Sequence, residues 1–414
     1  MSLVLAIGSF VLWGPTTRYK RKGQIVGLVN LGHSCFLNAL LQALASCHNV
    51  MDWLSKQQYN LSKTSLTASL LKTLSILNGK EEGEDPFTPS ILIQSLLNKG
   101  WIISSGEQDA HELFHIIVST LEEEIQKPIT KVCSLLDVAK CDDVREVQSD
   151  NPVQQHNYLQ LRPTLSCIET RNSQTECKLK TLLPFHGLFT SQLQCVSCQH
   201  KSAVHYTTFY SLSLVLPPRV LSFIAILKSY TLTDLIENYV TNRIVNNVSC
   251  EGCGRPNTDQ VKTLNFGKLP TCLCIHIART TWEGEPTKRD DYIKFPEFLN
   301  MDPYTYNNVQ LKQAAYREHA KGDENLANGS ISLSPEDSRC KHHYRLAAVI
   351  VHKGSLFNGH FITYRRGIGN SYNSWYYTSD TEVNETTLNE VMQASAYILF
   401  YTRISGAIPA LTVF

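Results

Sequence analysis

Gly27-Leu-Val-Asn-Leu-Gly-His-Ser-Cys-Phe-Leu-Asn-Ala-Leu-Leu-Gln42 sets one cysteine, Cys35, at the mouth of an expected helix. Leu37, Leu40, Leu41 and Leu44 recur at helical spacing and can face a core. Gly32 and Ser34 just before them supply a turn and a cap. A thiol at a helix N-terminus feels the positive end of the backbone dipole, which stabilises its thiolate. An isolated cysteine here would read as one more buried thiol. A histidine segment far downstream reverses that reading.

That segment runs Arg345-Leu-Ala-Ala-Val-Ile-Val-His-Lys-Gly-Ser-Leu-Phe-Asn-Gly-His360-Phe-Ile-Thr-Tyr-Arg-Arg366. Arg345 to Val351 reads as a buried strand and Phe361 to Arg366 as a second, with a glycine-bounded loop between them. Trp375 to Thr378 reads as the next strand, reached through a turn at Gly367 to Ser374. Folding this hairpin about Gly369 and Asn370 puts His360 opposite Ser379 or Asp380. A histidine with a polar orienting partner is the base half of a cysteine-protease triad, and the cysteine joins it through space.

Cys195-Val-Ser-Cys198 and Cys250-Glu-Gly-Cys253 are two Cys-x-x-Cys knuckles. Two knuckles together complete a tetrahedral set of soft ligands with no open position, which suits structural zinc. A redox pair is the competing reading of either knuckle alone. Cys272 and Cys274, on an expected buried strand, are read as core.

With 414 residues and a formal net charge of +1, the chain carries no basic excess that would draw nucleic acid. Its 13 cysteines are scattered and odd in number, without a secretory signal, which fits a reducing compartment. Ser2 to Pro15 is uncharged and mostly apolar, and Arg18, Lys20, Arg21 and Lys22 follow. A full span takes about 20 apolar residues. This stretch therefore reads as an abbreviated anchor with its cations on the cytoplasmic side, against an interfacial segment or an apolar tail.

Helices are expected from about Ser34 to Lys127, with Lys80 to Pro86 as an acidic solvated loop. Pro128 to Thr181 reads as an irregular insertion. Strands begin near Phe185, and Tyr306 to Lys341 reads as a second, flexible insertion.

Taken together these segments resemble the ubiquitin-specific proteases, whose cysteine segment reads roughly Gly-Leu-x-Asn-x-Gly-Asn-Thr-Cys-Tyr-Met-Asn-Ser-x-Leu-Gln. Asn30, Gly32, Cys35, Asn38, Leu41 and Gln42 match, while His33 and Ser34 depart. Gly354, Gly359, His360 and Tyr364 match the histidine segment. Glu107 to Phe114, Leu269 to Arg279, Phe295-Pro296 and Tyr397 to Tyr401 follow in the family's order.

The resemblance implies a papain-like α+β fold with thumb, palm and zinc-ribbon fingers. Its implied limits are about 24–184, 185–266 and 267–404, with the insertion at 306–341, an anchor and basic flank at 1–23 and a tail at 405–414. It implies a thiol-dependent deubiquitinase in which Cys35 attacks, His360 is the base, and Ser379 orients it with electrostatic help from Asp380. Asn30 would donate to the oxyanion, or merely cap a turn. Asp109, supported by Gln108, would meet the arginines of ubiquitin's tail, or merely cap a helix. The family usually has Asp or Asn where Ser379 stands. That departure and the apolar start are similar to the branch anchored in the mitochondrial outer membrane, which has a Cys-His-Ser triad and whose catalytic domain faces the cytosol. Ubiquitin and its conjugates are the implied partners, and the membrane through the N-terminus. A catalytically weak, membrane-tethered ubiquitin-binding scaffold is the alternative that Ser379 keeps open.

Overall fold

The computed structural model describes residues 18–19, 23–57, 65–101, 108–125, 182–218, 230–281, 286–312, 342–356 and 358–404. The uncharged start before Pro15 and the insertion expected at Pro128 to Thr181 lie outside the described residues.

In chain order the helices used below are α1 (Cys35–Ser46), α2 (His48–Gln57), α3 (Leu66–Leu77), α4 (Ser90–Asn98), α5 (Ala110–Ile125) and α6 (Leu232–Val240). The main strands are β1 (Gly187–Cys195), β2 (His205–Phe209), β3 (Leu212–Val215), β4 (Arg243–Val248), β5 (Thr258–Lys268) and β6 (Cys272–Ala278). They continue as β7 (His343–Gly354), β8 (Gly359–Arg366), β9 (Trp375–Ser379), β10 (Glu382–Thr386) and β11 (Ala396–Arg403). The chain divides into two compact units.

The first unit holds Met1–Glu124, Thr280–Asp290 and Ala347–Ile398, hence α1 to α4 and most of α5. Every residue of α1 is buried, so this helix has no solvent face at all. A helix buried on all sides is a core helix rather than an amphipathic surface one. α3 starts on Ser65, whose hydroxyl accepts from the Ala68 amide at 3.2 Å. The Glu124 carboxylate accepts from the Leu66 and Thr67 amides at 2.8 and 3.0 Å, an anion at the positive helix end. Beside these helices run β8, β9, β10 and the second part of β7, paired antiparallel in succession.

The second unit holds Ile125–Arg279, Asp291–Leu346 and Leu399–Phe414. Here β2, β1, β5 and β4 form an antiparallel sheet in that order. Phe189, Phe209 and Phe266 pack together inside it, with ring centroids 4.2 to 5.8 Å apart. β3 runs parallel to β6, where Cys272 and Cys274 are fully buried as expected of core. α6 opens with a capping box between Thr231 and Asp234.

Two expectations of the sequence are corrected. The acidic stretch is not only a solvated loop: Glu84–Asp85 pairs with Arg18–Tyr19, and Asp85 Oδ1 accepts from the Gly27 amide at 3.0 Å. Residues 306–312, placed in the flexible insertion, are helical, and the Val309 amide bonds the Thr305 carbonyl at 3.0 Å.

Candidate active site

Cys35 is the first residue of α1, buried, and in no disulfide. Ser34 occupies the N-cap position, yet its hydroxyl does not cap α1. It turns back to accept from the Leu31 amide at 2.9 Å. The turn is capped by Asn30 instead, whose Oδ1 accepts from the Gly32 and Ser34 amides at 3.1 and 3.2 Å. That leaves the Asn30 amide nitrogen directed elsewhere, and it donates to Asp380 Oδ2 at 2.7 Å.

Polar residues recur along the same buried helix at positions 35, 38, 42 and 46, a spacing that stacks them on one side. Asn38 donates to Asp380 Oδ1 at 2.8 Å and to the Val29 carbonyl at 3.2 Å. Gln42 donates to the Val26 carbonyl at 2.8 Å, and its Oε1 accepts from Arg365 Nη1 at 2.8 Å. Arg365 is fully buried with only neutral acceptors among its described partners, Asn78 Oδ1 at 2.5 Å being another. Burial accordingly lowers its pKa to about 9.

Thr363 of β8 donates to the Ala39 carbonyl of α1 at 2.7 Å, and Arg365 reaches Gln42. The two contacts ascend in both elements, so helix and strand run in the same direction. Their leading ends, Cys35 and His360, therefore lie at the same end of the unit. His360 Nε2 stands 2.9 Å from Ser379 Oγ and 4.0 Å from Asp380 Oδ2, and its side chain keeps 38 % exposure.

The hairpin register differs from expectation by two residues. Thr363 pairs with Thr378, and the same count would set His360 against Thr381. A shift of two preserves the face on which side chains stand, so Ser379 still reaches the imidazole. Asp380 breaks the strand with a left-handed φ of 49°, and it opens the tight turn between Ser379 and Glu382. That turn rests on the cysteine segment: the Leu28 amide donates to the Asp380 carbonyl at 2.8 Å. At Gly27 a Cβ would stand 2.6 Å from the Thr381 carbonyl oxygen, which explains a glycine there.

Gly359 has a similar reason. A Cβ at that position would fall against His352 Nε2, inside the ring's own volume. His352 stacks on Phe361 with centroids 4.5 Å apart, and Tyr397 lies beside both rings. The Tyr397 hydroxyl donates to Asp109 Oδ2, and burial together with that carboxylate pushes its pKa well up. Asp109 Oδ1 accepts from the His111 and Glu112 amides at 2.6 and 3.3 Å, so the capping contact exists. The residue is nonetheless exposed, with half-buried Gln108 just before it.

In the second unit, Cys195, Cys198, Cys250 and Cys253 bring their sulfurs within 4.8 Å of one another. Zinc–sulfur bonds of about 2.3 Å put tetrahedral sulfurs about 3.8 Å apart, and the Cys198–Cys250 pair stands at 3.5 Å. The two knuckles share one construction. Gln199 and Gly254, each four residues after the first cysteine, are left-handed and donate back to the Cys195 and Cys250 carbonyls at 3.0 and 2.9 Å. Neighbouring thiols and backbone amides shift these cysteines in opposite directions. The Cys198 amide chiefly lowers Cys195 to about 6. At Cys198 the His200 amide pulls the other way, but burial and the neighbouring thiols lift it to about 11. A four-thiol set of this kind can hold a metal ion.

Asn38 and Tyr397 were matched in the sequence without being given a role. The signal for Asn38 was its spacing, one helical turn after Cys35.

The sequence profile of the ubiquitin carboxyl-terminal hydrolases matches residues 26–401. The chain belongs to this family. It is thus a cysteine-type deubiquitinase with a papain-like α+β fold. "Ubiquitin carboxyl-terminal hydrolase 30" of Xenopus tropicalis is 34% identical over 98% of this chain and 86% of its own length. The human protein of that name is 33% identical over 98% and 89%. Among solved structures, "Structure of the SAGA Ubp8/Sgf11/Sus1/Sgf73 DUB module bound to ubiquitin aldehyde" superposes with a TM-score of 0.60 at 21% identity. That likeness covers 98% of this chain and 76% of that one.

Proposed function

We propose that this deubiquitinase hydrolyses the isopeptide bond after the C-terminal glycine of ubiquitin, with Cys35 as nucleophile. The observation that carries the reading is the His360–Ser379 contact of 2.9 Å at the end of the unit where Cys35 starts α1. If Nε2–H donates to the serine, the neutral imidazole presents Nδ1 as the base for the thiol proton. His360 later returns that proton to the leaving lysine amine. The growing oxyanion takes hydrogen bonds from the Cys35 amide and from the second hydrogen of the Asn30 amide, the first being held by Asp380. Asp380, 4.0 Å from the ring, is read as an electrostatic aid, and Ser379 as the group that sets the ring's orientation. Exposed Asp109, with Gln108, is read as the contact for the arginines of ubiquitin's tail.

The four cysteines are read as holding one structural zinc, since sulfur ligands in a closed tetrahedral set suit that ion. The uncharged start and following cations support tethering to an organelle, and the resemblance points to the mitochondrial outer membrane, where the enzyme would strip ubiquitin from surface proteins and oppose mitophagy. Among the described residues, no helix is long and apolar enough to cross a membrane.

Cys35→Ala is expected to abolish cleavage of ubiquitin-rhodamine and labelling by a ubiquitin suicide probe while ubiquitin binding persists. Cleavage at the parent rate would overturn the assignment. Elemental analysis is expected to give one zinc per chain, and a fully active metal-free preparation would remove the zinc.

A further inference from the structure

α5 carries two histidines, His111 and His115, four residues apart and thus on one side of the helix. Their Nε2 atoms face each other at 3.2 Å, with the rings at 80°. In the metal-free protein one nitrogen donates to the other. The same separation also suits a shared ion. Metal–imidazole bonds of about 2.05 Å would subtend about 103° at that ion, close to the tetrahedral value of about 109°.

The rings are also held in place. Phe114, fully buried between them in sequence, lies parallel to the His111 ring at 6.4 Å and edge-on to His115 at 5.5 Å. Holding two ligands in position before an ion arrives raises their effective concentration for each other. Partial desolvation of the otherwise exposed His115 ring lowers its pKa, in the direction that favours the neutral, ligating form. The positive end of α5 works against a cation here, and the carboxylates of Asp109 and Glu112 in the same turn offset it.

We propose that His111 and His115 form a bidentate surface site for a divalent transition ion of imidazole preference, such as Zn²⁺, Cu²⁺ or Ni²⁺, with water completing the coordination. Hard ions such as Mg²⁺ are excluded by the nitrogen donors. The site is separate from the cysteine cluster, which belongs to the other unit of the chain. An ion bound here brings positive charge next to Asp109, so it weakens the hold on an arginine-bearing tail. That consequence, unlike the site itself, rests on the role given to Asp109 above.

Nickel suits the test because it favours imidazole and leaves the thiols unoxidised. Isothermal titration of the full chain with Ni²⁺, the cysteine cluster already loaded, is expected to show one added site. Either His111→Ala or His115→Ala should weaken it roughly tenfold or more, because each removes the chelate. The double variant, left with no imidazole there, should lose the added site altogether. Metal-free activity and Tm should stay at the parent value. Unchanged Ni²⁺ affinity in His115→Ala would overturn the site. Ni²⁺ should also raise KM for ubiquitin-rhodamine in the parent and not in His115→Ala. Nickel binding that depends on both histidines but leaves KM unmoved would keep the site and refute the tail contact at Asp109.

Discussion

His360 has two polar neighbours of different kinds, a hydroxyl at 2.9 Å and a carboxylate oxygen at 4.0 Å. The carboxylate is already committed to the Asn30 and Asn38 amides. On the proposed reading, orientation of the ring falls to the serine. Ser379→Ala is expected to lower kcat on the order of 10- to 1000-fold with KM little changed, the pattern of a lost transition-state contact. Asp380→Ala should cost less in kcat if its part is only electrostatic. Steady-state kinetics that show the reverse order would hand the orienting role to Asp380. Much of this was readable from the residues. The glycine before His360 and the turn after Arg366 led to Ser379, even though the register was misjudged by two. Asn38 was not read, because nothing in one helical segment says which distant carboxylate its amide will meet.

At the scale of elements, α1 shows how a buried helix carries polar residues with nearly all their atoms bonded, Asn38 Oδ1 being an exception without a hydrogen-bond partner. Asn38, Gln42 and Ser46 each hydrogen-bond outward from one stripe, and Gln42 holds the guanidinium of Arg365. A buried polar group left without its partner costs about 1–3 kcal/mol, more when charged. Gln42→Leu is thus expected to destabilise the protein by at least about 1–3 kcal/mol, read as a lower midpoint in urea. Arg365→Met, which removes the charge itself, should cost less than Gln42→Leu. An equal or smaller loss for Gln42→Leu would mean that Arg365 finds other acceptors. The sequence made the leucine face of α1 legible by its spacing. It could not show that the opposite face is buried too, since that depends on β8 arriving from more than 300 residues away in the chain. The two knuckles were legible for the opposite reason: each is local, and its turn is built within six residues.

Across the whole molecule the charge nearly cancels, at +1, and a cluster of cations, Arg18, Lys20, Arg21 and Lys22, follows an uncharged start. Deleting Met1 to Pro15 is expected to move the enzyme from the membrane to the soluble fraction while leaving its rate on soluble ubiquitin conjugates unchanged. Unaltered fractionation would count against the anchor. The order of segments along the chain made the family legible from end to end. The division into compact units was not, because Thr280–Asp290 and Ala347–Ile398 join the N-terminal helices only once the chain has returned twice.

The packing of His352 against Gly359 has a bearing on how such a chain can change over time. The ring fills the space where any side chain at Gly359 would begin. Shortening His352 would remove only part of the obstacle, because the Lys353 carbonyl oxygen, a backbone atom, would stand 2.7 Å from the same Cβ. Position 359 is therefore closed twice over, by a ring and by a strand carbonyl, and a change at His352 alone does not release it.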